Sequence, residues 1–157
     1  MKLRSLIISA FAGLVLTSLP ARAAVVQNIS VPFNLNVFVP CANFDAGELI
    51  QISGNLHFLT STTLDQAGGF HFSQQASPQG VAGLGLTTGD KYRATGVTRT
   101  DFSSTSSGAL QFSFLNRFYV VGQGPDNNFS IQETEHVTIT PDGTVTVSFD
   151  NISITCK

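Results

Sequence analysis

From Ile29 to Val39 every second residue is apolar: Ile29, Val31, Phe33, Leu35, Val37 and Val39 alternate with Asn28, Ser30, Asn34 and Asn36. A period of two places one set of side chains on each face of an extended chain, so this segment reads as a half-buried β-strand. The pattern returns on even positions at Ile50, Ile52, Leu56 and Phe58, with Gly54 marking a bulge or a close backbone approach. Phe70 and Phe72 follow after Gly68 and Gly69 and suit a hairpin with that strand. Val81 to Leu86, interrupted by Gly83 and Gly85, reads as strand or loop. Tyr92, Ala94, Gly96 and Thr98 then form a small-residue face opposite Arg93, Thr95, Val97 and Arg99.

Ser103 to Gly108 is a polar loop leading into Leu110, Phe112, Phe114, Phe118 and Val120, a long strand whose apolar face is interrupted by Asn116. Phe129, Ile131, Val137 and Ile139 alternate up to Pro141, Asp142 and Gly143, after which Val145, Val147 and Phe149 resume, so a hairpin is expected there. Apolar parity switches again at Asp150 and Asn151, before Ile152, Ile154 and Cys156, which predicts a β-bulge. Ala42 to Leu49 is the best short stretch for a turn of helix. The expected fold is all-β: an antiparallel barrel of about eight strands, with a two-sheet β-sandwich as the alternative.

The N-terminus bears on location. Lys2 and Arg4 precede an uncharged apolar run from Leu6 to Leu19, then Pro20 and the small-residue site around Ala21 and Ala23. That order reads as a cleavable signal peptide over residues 1–23, leaving a single domain over 24–157 that is secreted or periplasmic. The run is shorter than the roughly 20 residues a membrane-crossing helix needs, so no membrane anchor is expected. Removing Lys2, Arg4 and Arg22 from the eight basic residues leaves five against ten acidic ones, a formal charge of −5. With no basic cluster, nucleic acid and anionic membrane surfaces are poor partners. Cys41 and Cys156, the two cysteines, are expected to pair in an oxidising compartment.

Sites are sparse. His57, His71 and His136 fall on polar strand positions without ligand spacing, so no metal and no cofactor are expected. Asp126, Asn127 and Asn128 offer oxygens to calcium but are accounted for by turn chemistry. Glu133 and Glu135 share parity with Phe129, Ile131 and Val137, which aims two carboxylates at the apolar side. There they would repel and raise one pKa, and the pair would either bind a cation or act as acid and base, with Tyr92 or Asn116 orienting a substrate as in a cyclase or isomerase. The competing explanation is an inward charge that guards a sheet edge, or a bulge that turns both carboxylates to water. A lumen lined by Phe112, Phe114 and Phe118, with Phe33, Phe58 and Phe72, is the expected place for a small apolar ligand.

The stretches GDKYRATGVTRT (89–100) and NRFYVVGQGPDNNFSIQETEHVTITPDGTVTV (116–147) resemble a family of small exported bacterial all-β proteins with no established activity. That resemblance implies a bacterial origin and a stable β fold, and it transfers no catalytic residue. In shape alone, a small secreted barrel is similar to the lipocalin and allene oxide cyclase or dirigent barrels. A non-catalytic binding or interaction module is therefore the leading expectation, ahead of a barrel enzyme or an extracellular surface protein. Oligomeric state is open.

Overall fold

The computed structural model describes residues 24–123 and 127–157. The signal-peptide reading of residues 1–23 lies outside them. Among the described residues seven strands follow one another: β1 (Ala24–Val39), β2 (Glu48–Leu64), β3 (Phe70–Gly85), β4 (Lys91–Ser104), β5 (Leu110–Gly122), β6 (Asn128–Ile139) and β7 (Val145–Cys156). They form one antiparallel sheet in chain order, so all seven belong to a single sheet rather than to the two of a sandwich.

The count is seven, not about eight, because Val81–Leu86 is not a strand of its own. It is the far half of β3, continuous with Phe70. A register shift opposite Ser53 and Asn55 adds one residue on the β3 side, so the inward positions pass from Phe72, Ala76 and Pro78 to Val81, Gly83 and Gly85. The parity change disguises one strand as two. Gly54 sits at that irregularity, where an added Cβ would lie 2.8 Å from the Val81 Cα.

Two further expectations are corrected. Residues 42–47 form no helical turn of the ordinary hand: Asn43, Phe44 and Asp45 have φ of 54°, 55° and 63°, a left-handed turn between β1 and β2. Nor does a bulge occur at Asp150. The β6–β7 register runs unbroken from Phe129 opposite Cys156 to Thr138 opposite Val147. Ile152 and Ile154 therefore face inward, while Val147 and Phe149 face outward. β7 is exposed along its whole length, so nothing forces its apolar residues to one side.

The core occupies one end of the sheet. Val39, Ile50, Ile52, Val81, Tyr92, Ala94, Val120 and Phe129 are buried there with Cys41, while Phe33, Val37, Phe118 and Ile131 pack against them. Each large aliphatic in this group contributes about 1.5 to 3 kcal/mol. An odd number of antiparallel strands makes β1 and β7 parallel, so both finish at this end. The Cys41–Cys156 disulfide joins them there, with Cα atoms 5.7 Å apart. The sheet is thus curled and sealed at one end, but no backbone ladder joins β1 to β7 among the described residues, and it is not closed as a barrel.

Candidate functional site

Register places the aromatic residues singled out from the sequence on the inner face, above the core. Phe118 lies opposite Gly96 and Ile131, Phe114 opposite Thr100 and Glu135, and Phe112 opposite Phe102 and Val137. All three are half-buried. Phe72 pairs across β3 and β4 with Phe102, whose ring also meets Phe70 at a centroid distance of 6.1 Å. These strands form an aromatic wall that rises from the sealed end toward the turns at 65–69 and 105–109. The opposite lip is also apolar: Ile29, Val31 and Leu35 on β1 and Ile152 and Ile154 on β7 are 40–59% exposed.

Asn116 belongs to this wall. Its Oδ1 accepts a hydrogen bond from Thr98 Oγ1 at 3.0 Å, and it lies opposite Glu133 in the β5–β6 register. Glu133 and Glu135 share the inner face, two positions apart and half-buried, with Cβ atoms about 7 Å from each other by strand rise. Asp150 stands directly opposite Glu135, a third inward carboxylate that a bulge at that position would have hidden. Among the described residues no group of His, Cys, Asp and Glu is arranged to hold a metal ion.

Tyr92 is not brought to these carboxylates. It lies in the buried floor, and its hydroxyl donates to Glu48 Oε1 at 2.8 Å. Sequence reasoning missed Glu48, although it shares even parity with the inward Ile50 and Ile52. Its carboxylate also accepts from Thr88 Oγ1 at 2.9 Å and from the Thr88 and Thr87 backbone amides at 3.2 and 3.3 Å. Burial works against its charge, but the bonds from Tyr92, Thr88 and Thr87 outweigh it and hold the carboxyl below its ordinary value. Burial, the bond to Glu48 and the charges of Glu48 and Asp90 push the Tyr92 hydroxyl upward. The pair is a latch that clamps the β3–β4 turn to the start of β2.

Glycines make room for this latch. An added Cβ at Gly85 would meet the Glu48 carboxylate at 2.5 Å, and one at Gly122 would overlap the Tyr92 ring. The three histidines sit apart on the outer face: His57 within 2.7 Å of Asn28 Oδ1, His71 beside Asp65, and His136 within 2.7 Å of Ser113 Oγ. Of the oxygens considered for calcium, Asp126 lies outside the described residues. The Asn127 amide donates to Asp90 Oδ2 and to the Gln123 carbonyl, which is a turn-closing role. No protein-family model, curated protein or solved structure matches this chain.

Proposed function

We infer that the chain is an exported, non-catalytic binding module that takes a small apolar ligand against the inner aromatic wall. One observation carries this reading: Phe112, Phe114 and Phe118 are half-buried on a concave face whose floor is sealed while its upper half stays open. A solid core would bury such rings, and an ordinary surface would not align them. The curl fits an incomplete antiparallel barrel, with β1 and β7 as the lips across which a ligand enters. The Cys41–Cys156 bond accords with a secreted or periplasmic setting.

Native mass spectrometry of gently purified protein tests this. A copurified mass that is lost in Phe114→Ser, with the circular dichroism spectrum kept, is the expected result. Repeated absence of any adduct, or one that survives the substitution, overturns it.

A further inference from the structure

Four of the five basic residues beyond position 24 lie on the outer face of two neighbouring strands: Lys91, Arg93 and Arg99 on β4 and Arg117 on β5. Arg99 is engaged by Asp101, Nε to Oδ2 at 2.7 Å. Lys91 and Arg93 form no ion pair among the described residues. Both line a groove of about 810 Å³ whose other walls include Ala82, Leu84, Val121 and Gln123. Leu84 and Val121 are 48% and 50% exposed. Register fixes the arrangement, since Lys91 is opposite Leu84 and Arg93 is flanked by Ala82 and Val121. Two cations that form no ion pair among the described residues, about 7 Å apart on one strand, are thus bordered by Ala82 and Leu84 on the β3 side and by Val121 and Gln123 on the β5 side.

We propose that this outer groove between β3, β4 and β5 binds a free fatty carboxylate, its head on Arg93 and Lys91 and its chain along Leu84, Ala82 and Val121. Charge complementarity selects an anion, because a guanidinium matches a carboxylate with two parallel hydrogen bonds. The apolar borders select a ligand with a tail. Two free cations on a chain of formal charge −2 are too few for a polyphosphate or an anionic bilayer. The groove volume falls in the range of small-molecule sites. It opens on the face opposite the aromatic wall, so the two sites are separate.

Titration of the isotopically labelled protein with dodecanoate below its micellar concentration, followed by amide chemical shifts, is the test. Saturable shifts centred on Leu84, Lys91, Arg93 and Val121 are expected, with affinity at least tenfold weaker in Lys91→Gln/Arg93→Gln and for dodecanol. Both substitutions are on the exposed face, and an unchanged amide spectrum outside the groove verifies the fold. Equal affinity of the double variant, absence of saturable binding, or shifts confined to Phe112, Phe114 and Phe118 would each overturn the outer site. The last outcome would still support the inner one. Binding to anionic phospholipid vesicles in preference to free dodecanoate would reassign the groove to a membrane surface and overturn the proposal.

Discussion

Glu48 is a charged residue that the sheet keeps 3% exposed, and it is tolerated because the Tyr92 and Thr88 hydroxyls and the Thr87 and Thr88 amides donate to it. Removing the hydroxyl in Tyr92→Phe leaves the carboxylate one donor short. A hydrogen bond to a charged acceptor is worth about 1.5 to 3 kcal/mol, and urea denaturation at neutral pH is expected to register a loss of that size. The pH dependence follows from the same bonds. A folded-state pKa below the unfolded value, ordinarily 4.5, means that the stabilisation is complete above that value and disappears as pH falls through the lower, folded one. The stability gap between the wild type and Glu48→Gln is therefore expected to be wide at pH 7 and to shrink below about pH 4.5. A gap that stays constant down to pH 2.5 would remove the latch from the account. The facing of Phe112, Phe114 and Asn116 follows from alternation, whereas alternation left Glu133 open between the apolar side and a bulge, and it takes the β5–β6 register to set it opposite Asn116. The latch was not legible, because Glu48 and Tyr92 are 44 residues apart and a single Glu at a strand start looks like any solvated charge.

Strand β3 shows how far periodicity reaches. Phe70 and Phe72 read as strand and Val81 to Leu86 as strand or loop, and joining them into one strand needs the partner, whose register absorbs the one extra residue. The turn of the final hairpin was legible because Asp142 and Gly143 mark it with local chemistry, and Gly143 has φ of 85°. β7 misled for a related reason: as an edge strand exposed on both faces, it is free of the one-sided burial on which the parity argument depends. Two glycines separate the local from the tertiary contribution. Gly80 has φ of 61° with open space where a Cβ would go, so Gly80→Ala carries only the left-handed penalty, about 1 to 2 kcal/mol. At Gly96 a Cβ would overlap the Arg117 carbonyl oxygen, and backbone cannot swing aside as a side-chain tip does. Gly96→Ala is expected to cost on the order of 3 kcal/mol or more, by prising β4 from β5. Urea midpoints of the two variants check the contrast, and equal losses would show that β4 and β5 yield freely at this crossing.

At the scale of the whole molecule, seven antiparallel strands leave two free edges that run in the same direction, and the Cys41–Cys156 bond is what holds those edges together at the core end. It spans 115 residues of chain, and closing a loop of that length restricts the unfolded ensemble by about 5 kcal/mol on the chain-entropy estimate. The two cysteines differ in a way that makes the test clean. Cys41 is 1% exposed in the core, where a free thiol packs as a small apolar group, while Cys156 ends a solvent-facing strand. Cys156→Ser therefore breaks the link without burying a hydroxyl or opening a cavity. Its loss of stability is expected to approach that 5 kcal/mol, less whatever residual structure the reduced chain keeps when unfolded. The loss is also expected to be uneven. β3, β4 and β5 are paired on both sides, whereas β1 and β7 each have one neighbour, so amide exchange in Cys156→Ser should quicken first in β7 and in the turn after β1. With those segments loosened, Val39, Ile50 and Phe129 lose the cover that seals the floor of the cup. Hydrogen exchange read strand by strand decides the matter: uniform acceleration would mean that the sheet opens as one unit, and unchanged protection in β7 would mean that its pairing with β6 suffices without the disulfide.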